Sequence, residues 1–100
     1  MKVKTTAEYR QRATMLKALA HPTRLLIVDE LGEAGERCVC ELTELVGADM
    51  STVSRHLAQL RNAGIVEDER RGAKIFYKLR FPCLGKLFEC LSKSCDCSDM

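Results

Sequence analysis

ERCVCELTELVGADMSTVSRHLAQLRNAG, residues 36–64, is the stretch that decides how this chain folds. In its second half Val53, Leu57 and Leu60 fall at i, i+4 and i+7, the spacing of a single buried helical stripe. Ser51, Thr52, Ser54, Arg55, His56 and Gln59 are left on the other faces. Asp49 or Ser51 is suited to cap this helix, and Asn62-Ala63-Gly64 supplies its stop. Ahead of it, Leu42, Leu45 and Val46 make the core face of a shorter helix that Gly47 breaks. Two helices across one tight turn, the second polar and basic on its outer side, have the pattern of a helix-turn-helix.

Upstream, Tyr9, Ala13, Leu16 and Ala20 form an apolar stripe on a first helix, with Thr5 or Thr6 as its cap. His21-Pro22 ends that helix and starts a second, because proline suits the first helical position. The second helix carries Leu25, Leu26, Ile27, Val28 and Leu31 around much of its circumference, which predicts a central place in the core, and Gly32 and Gly35 end it. Downstream, Ile65-Val66 begins a strand and Arg70-Arg71-Gly72-Ala73 reads as a turn. Ile75, Tyr77 and Leu79 then alternate with Phe76, Lys78 and Arg80 as in a half-buried hairpin strand. Pro82 opens a last helix with Leu84, Leu87, Phe88 and Leu91 on one stripe, and the tail after it is polar. The expectation is a mainly α chain with a β-hairpin wing. This is a winged helix-turn-helix, ordered helix-helix-helix-helix-hairpin-helix. Residues 1–94 make one domain and residues 95–100 a flexible cysteine-containing tail. Two terminal apolar stripes exceed what one small core covers, so the first and last helices are expected to form a homodimer seam.

Net charge is only +2, but it is laid down in blocks. Residues 26–50 carry one basic and seven acidic side chains, and residues 51–80 carry seven basic and three acidic. A basic face on a helix-turn-helix suits a polyanion such as DNA. Short hydroxyls bond phosphates or bases, arginine grips guanine, and glutamine pairs with adenine. Ser51, Thr52, Ser54, Arg55 and Gln59 supply those groups, and His56 is placed to reach a phosphate or to stay an ordinary polar surface histidine. Arg70, Arg71 and Lys74 at the hairpin tip fit phosphates or a minor groove, while Glu67-Asp68-Glu69 confines that contact to the tip. No apolar run approaches a membrane span, and the N-terminal MKVKTTAEYR lacks the apolar core of a signal peptide, so the expectation is a cytoplasmic protein without membrane contact.

Six cysteines in a chain with helical core patterns and no export signal suggest metal or redox chemistry rather than disulfide staples. Cys38-Val39-Cys40 lies where the third helix begins. In a regular helix residues i and i+2 point roughly 200° apart, so both thiols meet one ion only if the helix start is extended. Chelation there must distort the helix that supports the DNA-reading one. A ligand favouring the distorted state lowers DNA affinity by linkage. Two neighbouring thiolates are soft donors and favour thiophilic ions. Arg37 beside Cys38, together with the helix start, favours the thiolate.

LKALAHPTRLLIVDEL (residues 16–31), the 36–66 stretch and RRGAKIFYKL (residues 70–79) together resemble the ArsR/SmtB family of metal-responsive repressors. The resemblance implies a dimeric winged-helix repressor that binds a palindromic operator and lets go when inducer binds. CVCEL resembles the cysteine box of the family's arsenic(III)- and antimony(III)-responsive members, in which a third cysteine follows one turn later. Here that position is Thr43. Relatives that sense cadmium or lead add cysteines from the N-terminal segment, and this chain has none before Cys38. Those that sense zinc, cobalt or nickel use histidines on a last helix, which here has none. The inducer expected is arsenic(III) or antimony(III) on Cys38 and Cys40, with Cys95 and Cys97 as further ligands from the tail and no organic cofactor. A cadmium or lead sensor, a persulfide or redox switch pairing Cys38 or Cys40 with Cys90, and a structural zinc on Cys38, Cys40, Cys95 and Cys97 are the alternatives. Cys83 reads as structural. An enzyme is not expected: there is no C-x-x-C in a thioredoxin-like context, no cysteine-histidine-acid arrangement and no phosphate-cradling glycine loop.

Overall fold

A computed structural model describes residues 3–98, with side chains described for residues 6–92. The order is α1 (Val3–Leu19), α2 (Pro22–Ala34), β1 (Arg37–Cys38), α3 (Val39–Val46), α4 (Met50–Asn62), β2 (Val66–Arg71), β3 (Lys74–Leu79) and α5 (Leu84–Ser98). It is a winged helix-turn-helix. The sheet is antiparallel in the order β1-β3-β2, so the wing strand β3 lies between its hairpin partner and the segment that carries Cys38.

The core forms where the stripes of three helices meet the inner face of the wing. Ile27, Val28 and Leu31 come from α2, Leu42 from α3, and Val53, Leu57 and Leu60 from α4, with Leu19, Ile65, Val66, Tyr77 and Leu79 closing the cluster. The periodicity of α4 is realised, and all three of its inward residues are fully buried. Turn chemistry fixes the angle between α3 and α4. Gly47 caps α3 with a left-handed φ of 78°, which a side chain adopts only with strain. Asp49 then caps α4, its carboxylate accepting from the Thr52 N–H at 3.3 Å.

Several local expectations change. The helix α1 already contains Thr5 and Thr6, so neither caps it. On α2, Leu25 and Leu26 stay exposed while their neighbours are buried, and Leu45 on α3 is likewise exposed. Gly32 lies inside α2 rather than ending it, and Gly35 is the cap. A β carbon at Gly32 would meet Leu79 Cδ1 at 3.6 Å and Gly85 Cα at 4.0 Å, so this face of α2 lies close to the start of α5. The hairpin turn is only Gly72-Ala73. Arg70 and Arg71 belong to β2, opposite Ile75 and Lys74. Pro82 lies in a turn closed by the Leu84 N–H on the Phe81 carbonyl, so α5 starts two residues later than the proline suggests. The backbone of α5 remains helical through Ser98, past the end of its apolar stripe at Leu91. Tyr9 and Leu16 of α1 and Leu87 and Leu91 of α5 are exposed in the single chain, as a helical seam awaiting a second surface requires. Among the described residues no helix is long and apolar enough to cross a membrane.

Candidate nucleic-acid interface and thiol pair

The outer side of α4 follows from its buried side. With Val53, Leu57 and Leu60 turned inward, the 100° advance per residue carries Ser54, Arg55 and Gln59 outward, and all three are exposed. Ser51 and Thr52 are differently placed. Their hydroxyls donate to the Asp49 carboxylate, that of Thr52 at 2.7 Å. Those bonds hold the Asp49 carboxyl down at about 2, Ser51 contributing most and Thr52 next. A hydroxyl that donates to Asp49 has no proton left for a phosphate, so these two order the helix start before they contribute anything outside it.

His56, half-buried, is engaged within the fold. Its Nδ1 accepts from Arg24 Nε at 3.0 Å, and its ring lies 4.6 Å from that of His21. His21 caps α2 by accepting from the Thr23 N–H at 3.1 Å, and Arg24 Nη1 donates to the Ala18 carbonyl at 3.2 Å. These contacts join α1, α2 and α4. Partial burial, reinforced by His21, Arg24 and Arg55, lowers the His56 pKa. The Nδ1 of His56 is committed within the fold, and Nε2 keeps the ring's one N–H donor. The sequence offers no local sign of Arg24 as its partner, because the two lie 32 positions apart.

At the wing, Arg70 and Lys74 are exposed and take no part in an ion pair among the described residues. Arg71 is held instead. It donates two bonds to Glu36, at 2.6 and 2.9 Å, and one to Glu69 at 2.9 Å, while its guanidinium lies 4.6 Å over the Phe76 ring. Those bonds push its pKa up and lower that of Glu36. Glu36 is a residue the sequence did not single out. At the base of the wing, Arg61 on α4 pairs with Asp68 on β2 at 3.1 Å, tying recognition helix to hairpin.

The two thiols face different surroundings. Cys38 is a sheet residue opposite Phe76 and at the same time the cap of α3, in extended conformation (φ −83°, ψ 163°) and 4% exposed. Cys40, in the first turn of α3, is exposed. The Glu41 carboxylate accepts from the Cys38 N–H at 3.0 Å, which lowers its pKa and closes the helix start. Arg37, expected to favour the thiolate, is engaged by Glu30 at 2.8 Å and Glu41 at 3.4 Å. Thr43 spends its hydroxyl on the Val39 carbonyl at 2.8 Å, so the position of the missing third cysteine is occupied by a backbone bond. Cys83 and Cys90 are exposed, and the side chains of Cys95 and Cys97 lie outside the described residues. Among the described residues no group of three or more His, Cys, Asp or Glu is gathered to hold a metal ion.

Residues 21–68 match the family model described as bacterial regulatory protein, arsR family. The arsenic resistance transcriptional regulator of Pseudomonas putida is 45% identical over 65 residues, which are 65% of this chain and 51% of that protein. The chain thus spans about half the length of that curated relative. A homodimeric winged helix-turn-helix DNA-binding domain from Mycobacterium bovis, described as a possible ArsR-family regulator, superposes with a TM-score of 0.83 at 30% identity, covering 96% of this chain and 88% of that one. The AntR antimony-specific transcriptional repressor superposes with a TM-score of 0.79 at 30% identity, covering 96% and 89%.

Proposed function

The chain belongs to the arsR family of bacterial regulatory proteins, and from that premise we propose that it is a homodimeric repressor released from its operator by a thiophilic metalloid. Ser54, Arg55 and Gln59 on α4 read base edges and phosphates of a palindromic site, while Arg70 and Lys74 grip the backbone beside it. Arsenic(III) or antimony(III) is the inducer that its arsenic- and antimony-responsive relatives suggest.

One observation carries this reading: Cys38 is buried as the cap of α3 while Cys40, two residues on, is exposed. Both are soft donors, and arsenite exchanges its hydroxides for thiolates with loss of water and no change of oxidation state. To share one ion, Cys38 must leave its seat, which breaks its N–H bond to Glu41 and unwinds the first turn of α3. Helix α3 packs directly on α4, so the change reaches the recognition helix in one step. The bound state thereby favours an arrangement with lower affinity for DNA, and by linkage DNA lowers the affinity for inducer by the same factor. Cys95 and Cys97 supply the third sulfur that Thr43 does not.

Fluorescence anisotropy on a duplex selected by the protein from a random library tests this. Arsenite releases wild type and leaves Cys38→Ser bound. Release of Cys38→Ser at the wild-type arsenite concentration overturns the reading. A sulfur-bridged cysteine pair by mass spectrometry, in place of a bound metalloid, assigns the switch to persulfide chemistry.

A further inference from the structure

We propose that Glu36 is a positioning residue that couples the thiol segment to the wing through its paired bonds to Arg71. The inference rests on the DNA-binding reading above and does not depend on which inducer acts.

Strand β1 is two residues long, Arg37 opposite Tyr77 and Cys38 opposite Phe76. Two backbone pairs at a sheet edge hold little by themselves. The residue before them supplies the missing grip. Glu36 takes two parallel N–H···O bonds from Arg71, the arrangement that fixes orientation as well as distance. Arg71 in turn lies over Phe76, the cross-strand neighbour of Cys38. Glu36, Arg71, Phe76 and Cys38 therefore form one closed circuit between the thiol segment and both wing strands. Arg71 is the wing cation committed to this circuit, whereas Arg70 and Lys74 make no ion pair among the described residues.

Two consequences oppose each other across the sheet. Withdrawing Cys38 from its seat peels β1 from β3, and the Glu36 carboxylate loses its register with Arg71. Holding the wing on DNA does the reverse and keeps Cys38 seated. The thiol pair is thus coupled to DNA by two routes, through α3 to α4 and through β1 to the wing, and Glu36 belongs to the second alone.

The test is the alkylation rate of Cys38 by iodoacetamide, with and without saturating selected duplex, and with Cys38 and Cys40 resolved by fragmentation in the mass spectrometer. Cys38 reacts only when its segment opens, and exposed Cys40 reports reagent access. DNA is expected to slow Cys38 alkylation about tenfold in wild type, within the usual range of coupling between sites. Glu36→Gln and Arg71→Gln raise the rate in free protein, and each reduces the slowing by DNA to the part carried through α3 and α4. The reversed pair, Glu36→Arg with Arg71→Glu, restores it. A merely structural role would change the free rate and leave the ratio of bound to free alone. The inference is overturned if DNA fails to protect Cys38 in wild type, or if both single variants keep the wild-type ratio. If no duplex is ever selected, the DNA-binding reading falls and the coupling falls with it.

Discussion

Replacing Lys74 with glutamine removes a cation from the tip of the wing, and the structure says how that should appear in a salt titration. Arg55, Arg70 and Lys74 are exposed and make no ion pair among the described residues, whereas Arg71 is bound by two carboxylates. These three, on α4 and at the wing tip, give six in a dimer. Each neutralised phosphate contributes about −0.9 to the slope of log K against log salt, so wild type should show a slope of about −5. Raising salt from about 50 to about 200 mM then weakens binding roughly a thousandfold. Lys74→Gln removes two contacts from the dimer and flattens the slope by about 2, leaving a loss of roughly a hundredfold over the same interval. Arg71→Gln alters the absolute affinity but flattens the slope by less than half as much, because its charge is already answered by Glu36 and Glu69. Anisotropy titrations at a series of potassium chloride concentrations measure all three slopes. Equal flattening by the two substitutions, or none by Lys74→Gln, would show that the division between free and committed wing cations is wrong.

Other expectations follow from single features. Cys95→Ser combined with Cys97→Ser leaves DNA binding intact and weakens arsenite-driven release; an unchanged arsenite midpoint excludes the tail as a source of sulfur. His56 has a lowered pKa in the folded chain, so below its ordinary value of 6.5 the unfolded state binds more protons. Its contribution to stability is therefore complete above that pH and is lost as pH falls from there through the folded value. The thermal midpoint should drop as pH falls below 6.5, and His56→Gln should shallow that drop. Gly32→Ala places a methyl in ordinary contact with Leu79 at 3.6 Å inside a helix. It should raise stability by about 0.5–1 kcal/mol, read as a midpoint increase of roughly 2–8 °C. A lower midpoint would mean that α2 and α5 approach more tightly than the backbone geometry indicates.

The recognition helix was legible because its signals are local. A period of 3.6, a capping aspartate and a glycine stop all lie within residues 49–64, and α4 follows them. The hairpin and its alternation were legible for the same reason. What could not be read is what depends on partners far along the chain. A two-residue strand has no period to detect, so Cys38 was placed at a helix start and is found in the sheet as well as at that start. Glu36 and Arg71 lie 35 positions apart, and Arg24 and His56 lie 32 apart. Neither pairing leaves a trace in local spacing, so local pattern alone does not show that Arg71 and His56 have partners within the fold. Leu45 shows a further limit: its spacing fits the core stripe of α3, yet Leu42 is buried, Val39 and Val46 pack on the core, and Leu45 stays exposed.

The unequal placement of the two thiols also sets what kind of chemical can be noticed. A molecule able to form one bond is finished once it meets exposed Cys40, and Cys38 is reached only by a second molecule arriving while the segment is open. Only an agent with a second valence to offer holds on until the segment next opens and then keeps it open. On the proposed reading, burial of one sulfur acts as a filter on valence, because an agent with one bond to give occupies Cys40 without holding the helix start open. On that reading, the delay while the segment opens makes release depend on how long the inducer persists as well as on its concentration.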